Sequence, residues 1–164
     1  MAAAVVSQEN VVASLVSRTG RHLQRYNKGR RQVVGCIPYR YTKGKGEDGF
    51  QVLVISSQKG KGMLFPKGGW ESDETIKQGA LRETYEEAGV KGVLEPQLGE
   101  WTFQSRTHGT DYEGYMFPLR VKEELDFWPE KTNRLRKWVC ACYIPCLNIF
   151  IYILTWYLNH WCDC

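Results

Sequence analysis

Gly68 to Val90 reads GGWESDETIKQGALRETYEEAGV, and the fold is decided in this stretch. Two glycines open it and Ser72 or Asp73 offers an N-cap. No proline interrupts the run to Ala88, and Gly89 supplies the stop, so a helix from about residue 73 to Ala88 is expected. On that helix Glu83, Glu86 and Glu87 stand at i, i+3 and i+4, which projects three carboxylates from one side within a turn. Like charges at this spacing destabilise a bare helix by about 0.2–0.5 kcal/mol per pair. Gly79 in the same helix costs about 1 kcal/mol relative to Ala. A solvated acidic face accounts for the glutamates taken alone. A hard divalent cation with oxygen ligands would offset their repulsion directly.

The flanks supply strands. Val33 to Arg40 (VVGCIPYR) and Gln51 to Ser57 (QVLVISS) are short, β-branched, apolar runs separated by the charged, glycine-rich turn 41–49. Residues 58–69 read as a glycine-rich loop around Met63-Leu64-Phe65, and two more strands are expected near Leu98–Ser105 and Tyr115–Val121. Strands on both sides of one strong helix indicate an α/β layered domain. Cys36, within the first run, reads as a buried small apolar residue.

The 164 residues suit one domain, and 43% hydrophobic with 24% charged residues allows a packed core and excludes wholesale disorder. The net charge of +4 is unevenly laid out: residues 1–34 carry six Lys/Arg against Glu9, and residues 35–137 are balanced. A nucleic-acid partner is therefore not expected. Residues 1–31 form a basic N-terminal extension, read as a solvated arm or a mitochondrial transit peptide. Cys36 stands alone in the body while Cys140, Cys142, Cys146, Cys162 and Cys164 crowd the end, and no apolar secretory leader is evident, which points to a reducing compartment. His22, His108 and His160 are isolated, so no Ser/His/Asp nucleophile is assembled.

Counted from Gly68, five residues lead to Glu74 and seven more to Arg82-Glu83-Thr84-Tyr85-Glu86-Glu87-Ala88-Gly89-Val90. This resembles the signature of the Nudix hydrolases, with eight of nine positions filled. Thr84 stands where an aliphatic residue is usual, a mild loss of packing. Tyr26 to Arg40, Ser56-Ser57, Phe65 to Trp70 and Glu124 to Trp138 further resemble plant Nudix proteins related to the diphosphoinositol polyphosphate phosphohydrolases. The resemblance implies a Nudix α/β/α sandwich with a mixed sheet over residues 32–138. It implies hydrolysis of a phosphoanhydride with Mg²⁺ or Mn²⁺, on diphosphoinositol polyphosphates first, dinucleoside polyphosphates next and ADP-ribose third. Glu86 and Glu87 match the metal-binding pair, and Glu83 matches a residue that is ligand or base. Arg82 would hold a box carboxylate in place; Glu74 and Gly89 match structural positions. A backbone carbonyl of Lys67 or Gly68 would complete the metal shell. Arg30, Arg31, Ser56, Ser57, Lys67, Gly68, Gly69, Arg106 and Arg134 correspond to substrate-binding positions, with Lys59 and Lys61 flanking the same loop. Such relatives work in cytoplasm and nucleus, with the mitochondrion as the alternative that the basic arm suggests.

The end of the chain departs from that pattern. Trp138 to Cys162 holds no Asp, Glu, Lys or Arg over 25 residues. Residues 139–164 form an apolar Cys/Trp-rich tail where the relatives have a polar closing helix. It reads as a membrane anchor with Arg134 to Lys137 as cytosolic flank, as an altered terminus that loses or replaces the closing helix, or as a very apolar core helix. Palmitoylation of Cys140, Cys142 and Cys146 would support the first; the Cys-x-Cys and Cys-x3-Cys spacings fit zinc poorly. The tail keeps a rival function open, a catalytically weak ligand-binding or regulatory protein, truncated or tail-anchored.

Overall fold

Val33 to Tyr39 is buried along its whole length, and it forms the centre of the sheet. The computed structural model describes residues 16–42, 49–58, 62–104 and 111–140. Strand β1 (Tyr26–Asn27) turns into the 13-residue β2 (Arg30–Thr42), which pairs antiparallel with β3 (Gly49–Ser56). After β4 (Met63–Leu64) and β5 (Lys67–Gly69) comes helix α1 (Ile76–Ala88), then β6 (Val90–Leu94), β7 (Gly99–Gln104), the long β8 (Asp111–Glu124) and β9 (Arg136–Cys140). Along the sheet the order is β4-β3-β2-β8-β6, with β5 added to β2, β7 to β8 and β9 to β3. Pairing of β2 with β8 is parallel, from Arg31↔Tyr112 to Tyr39↔Arg120, so the sheet is mixed, as expected.

Alternation along the strands divides the core in two. Val34, Cys36, Leu53, Ile55, Phe117 and Leu119 face α1, while Ile37, Tyr39, Val52, Val54 and Met116 pack on the other face against Leu98 and Trp101. The helix meets the sheet through small residues, Ala80, Thr84 and Ala88, all fully buried. Gly79 has a reason: a Cβ there would lie 2.8 Å from the Glu74 carboxylate and 3.0 Å from Val34. Close approach to β2 outweighs the propensity cost.

Several boundaries differ from expectation. The helix is capped by Thr75, not Ser72 or Asp73. The Thr75 hydroxyl accepts from Gln78 N–H and the Gln78 side chain accepts from Thr75 N–H at 2.8 Å, a reciprocal box that the earlier residues cannot form. Strands β6 and β9 were not foreseen, and within the expected loop 58–69 both Met63–Leu64 and Lys67–Gly69 are strands, paired with Ile55–Ser56 and with Val33–Gly35. The sheet also runs past both expected domain edges. Arg25 N–H donates to Trp70 O at 2.9 Å, β1 and the start of β2 lie before residue 32, and Val139 and Cys140 continue β9. Thr84 is fully buried, and its hydroxyl donates to Ala80 O at 2.8 Å. Cys36 is buried as expected, and burial pushes its thiol up to about 12. One helical layer is described; the closing helix, and the readings of the tail beyond Cys140, fall on residues 141–164, outside the described residues. Among the described residues no helix is long and apolar enough to cross a membrane.

Candidate active site

The last two turns of α1 lie against the backbone of β5, and this places the motif glutamates. Gly68 pairs with Val34 on the helix side of the sheet. A Cβ on Gly68 would sit 2.1 Å from Glu83 Oε2, so only glycine leaves room for that carboxylate. Arg82 organises the same corner. Its Nε and Nη2 donate to the two oxygens of Glu74 at 2.9 and 2.8 Å, Nη1 donates to Glu83 Oε1 at 2.8 Å, and Nη2 also donates to Gly69 O at 2.9 Å. Glu74 is pinned further by Glu71 N–H at 3.1 Å. The guanidinium is wholly spent on orientation.

Glu86 and Glu87 are 6% and 5% exposed. Glu87 accepts from Lys67 N–H at 2.8 Å and pairs with Arg134. Glu86 accepts from the Arg18 main-chain N–H at 3.2 Å and lies 3.7 Å from Arg82 Nη1. Burial disfavours the charged form of each and outweighs these donors, so both carboxyls rise to about 7. Burial raises Glu83 as well, with Arg82 opposing. Lys67 shifts the other way: burial lowers its ammonium, which Glu87 only partly counters, and the ammonium makes no hydrogen bond among the described residues.

The donor set fits a hard divalent cation in its chemistry: three carboxylates on one helix face, Glu86 and Glu87 buried and Glu83 half-buried. Among the described residues no three acidic, His or Cys side chains already converge on one point, because Glu83 and Glu87 are turned to Arg82 and Arg134.

The expected substrate residues separate on the sheet. Arg31 lies beside Gly69, on the face that also carries Lys67, and its Nε donates to Gln24 at 2.7 Å. Arg30 is exposed and, by strand alternation, directed to the opposite face, so it does not join them. Arg134, read as a surface cation for substrate, is 7% exposed. Its guanidinium holds Glu87, Glu130 Oε2 at 2.6 Å and Ser56 O at 3.0 Å, because the turn after β8 folds back over the helix end. Ser56 Oγ accepts from Leu135 N–H at 3.0 Å, whereas Ser57 Oγ is buried with no partner among the described residues. Ser56, Ser57, Gln58, Thr132, Asn133 and Arg134 line a cleft of about 530 Å³. Arg106, Lys59, Lys61 and His108 lie outside the described residues.

Two residues were missed. Glu130 adds a fourth carboxylate that raises Glu83 and Glu86; its spacing of four from Arg134 was the available signal. Arg18, assigned to a solvated arm, bridges Glu71 and Asp73 while its amide reaches Glu86. Nothing local in the sequence marks that contact.

The NUDIX domain pattern matches residues 29–144. The chain is 62% identical over 128 residues to Nudix hydrolase 18, mitochondrial, of Arabidopsis thaliana, covering 76% of this chain and 73% of that protein. It is 37% identical over 114 residues to diphosphoinositol polyphosphate phosphohydrolase 2 of Mus musculus, covering 68% and 59%. A solved Nudix hydrolase from Nitrosomonas europaea superposes with a TM-score of 0.59 at 20% identity, covering 72% and 77% of the two chains, which is a likeness of fold.

Proposed function

The chain belongs to the Nudix hydrolases, enzymes that cleave phosphoanhydride bonds, and from that premise we propose that it hydrolyses diphosphoinositol polyphosphates with Mg²⁺ or Mn²⁺ held by Glu86 and Glu87 and with Glu83 as the base. One observation carries the reading. On α1 the buried Glu86 and Glu87 and the half-buried Glu83 lie close to the half-buried Lys67 beside the glycine-rich backbone of β5, so carboxylates for a cation and an ammonium for a phosphate are neighbours.

Held by these carboxylates, a divalent cation would neutralise charge on the pyrophosphate and lower the pKa of water. Glu83, with its proton affinity raised by burial, takes the proton of that water. Arg82 holds the carboxylate through Oε1 and is itself held by Glu74, so it positions the base without touching the reacting atoms. As the water oxygen bonds to phosphorus, the anhydride P–O bond breaks and the leaving phosphate keeps the electron pair. Lys67 and Arg31, on one face of the sheet beside Gly69, bind phosphate oxygens.

Two observations favour a phosphorylated ring over a nucleotide. The cleft beside Arg134 is lined by Met63 and Leu135 as well as by hydroxyl and amide groups, and among the described residues no aromatic side chain on which a base would stack lines it. The mouse relative is itself named for diphosphoinositol polyphosphates. The mitochondrial designation of the Arabidopsis relative, together with the basic residues of 1–31, favours the mitochondrion over cytoplasm and nucleus.

Phosphate release by the full chain from a diphosphoinositol polyphosphate and from a dinucleoside polyphosphate, with and without Mg²⁺, tests the reading. Expected is Mg²⁺-dependent release from the first, lost in Glu86→Gln. Turnover of the dinucleotide alone overturns the substrate class, and cation-independent release overturns the metal assignment.

A further inference from the structure

The last turn of α1 concentrates negative charge. It carries Glu86 and Glu87, has no basic residue of its own, and ends at the negative pole of the helix dipole, where the final carbonyls lack partners within the helix. The partners come from residues 125–136. Leu125 N–H donates to Gly89 O at 2.8 Å and Glu130 N–H to Glu86 O at 3.0 Å. Arg136 Nη1 donates to both Ala88 O and Gly89 O, at 3.1 and 3.0 Å.

Arg136 is itself held from three sides. Its guanidinium lies 4.3 Å from the centre of the Trp128 ring, which packs so closely on Gly89 that a Cβ there would be 2.7 Å away. Glu124 stands 3.9 Å from Nη2. Arg136 also opens β9 and pairs there with Ile55 of β3, so its backbone is part of the rigid sheet. Two residues earlier Arg134 grips the Glu87 side chain, so one short segment holds both the carboxylate and the backbone of the same turn.

We propose that Arg136 is a positioning residue for the cation-binding end of α1: by fixing the Ala88 and Gly89 carbonyls and balancing the charge at the helix end, it sets where Glu86 and Glu87 present their carboxylates. The inference rests on the metal reading given under the proposed function. It gives β9 a part in holding the cation-binding end of α1.

The test uses the purified full chain and two readouts other than turnover. Mn²⁺ affinity is measured by electron paramagnetic resonance of the free ion, and hydrogen exchange is followed at the Gly89 and Leu125 amides in cation-free protein. Arg136→Met keeps the aliphatic stem and removes donors and charge. Arg136→Lys keeps the charge but cannot fork between two carbonyls. Glu124→Gln removes an ion-pair partner of Arg136 and leaves the carbonyl contacts. Expected is a loss of Mn²⁺ affinity of about tenfold or more in Arg136→Met and about threefold in Arg136→Lys, with faster exchange at both amides. Glu124→Gln should bind Mn²⁺ within about twofold of wild type even where it melts earlier. If Arg136→Met does not fold, the lysine variant alone decides the matter. Wild-type binding and exchange in the arginine variants overturn the inference, as does an equal loss in Glu124→Gln, which would reduce the effect to general stability. Absence of Mn²⁺ binding by the wild type overturns the metal reading and the inference with it.

Discussion

Replacing Glu87 by Gln should stabilise the cation-free protein while abolishing its turnover. The Glu87 carboxyl is 5% exposed, and burial moves it from 4.5 to about 7 against the opposing pull of Arg134 and the Lys67 amide. The folded state thus holds this proton more tightly than the unfolded chain. The contribution of this group to stability is therefore fully present below about pH 4.5 and is lost as pH rises to and beyond about 7. A rise of that size corresponds to about 3 kcal/mol for the ionised group. Glutamine does not titrate, its Oε1 can still accept from Lys67 N–H, and Arg134 keeps Glu130 and Ser56 O as partners. Loss of the Arg134 ion pair subtracts from the gain, which leaves about 1–3 kcal/mol at pH 8 and close to none at pH 5. Mg²⁺ reverses the order. At a hundredfold excess over its dissociation constant it should stabilise the wild type by about 2.7 kcal/mol and the variant far less. Urea unfolding at pH 5 and pH 8, with and without Mg²⁺, reads all four cases. A variant less stable than wild type at pH 8 without cation, or an equal Mg²⁺ response in both proteins, would refute the reasoning.

Gly68→Ala places a methyl 2.1 Å from the Glu83 carboxylate, which is the free end of a flexible side chain and can swing aside. The expectation is a fall in kcat of about 100-fold with the melting temperature nearly unchanged, and a wild-type kcat would show that Glu83 need not sit against β5. Arg82→Lys loses the fork to Glu74 and the bond to Gly69 O while keeping one charge. Turnover should drop about 10–100-fold, more than the urea midpoint would suggest, and intact turnover would remove Arg82 from the positioning of the base.

The helix and its acidic face were legible because both are local. Residues three and four apart share a face whatever the rest of the chain does, and a glycine stop acts within one turn. Burial of Cys36 and the strand character of 33–40 and 51–57 followed from composition for the same reason. The N-cap was misplaced because Ser72, Asp73 and Thr75 all have capping side chains, and only the return bond from Gln78 selects Thr75. β9 escaped notice because Arg136-Lys137-Trp138-Val139-Cys140 has no clean alternation, and it is a strand by pairing with β3. Arg30 and Arg31 looked equivalent as neighbours; a register in the sheet sends them to opposite sides.

The sequence by itself determined the helix and the three carboxylates on one side of it, since these depend on intervals within one element, while the class of reaction followed from the likeness of Gly68 to Val90 to the Nudix signature. Only the tertiary structure decided which cations serve that helix. Arg134 meets Glu87 across 47 residues and Arg136 meets Ala88 across 48, and those contacts exist because β9 returns to β3 beside the end of α1. Charge alone cannot distinguish them from the exposed Arg30. A guanidinium becomes part of the site when the sheet order carries it there and burial leaves the carboxylate as its best partner.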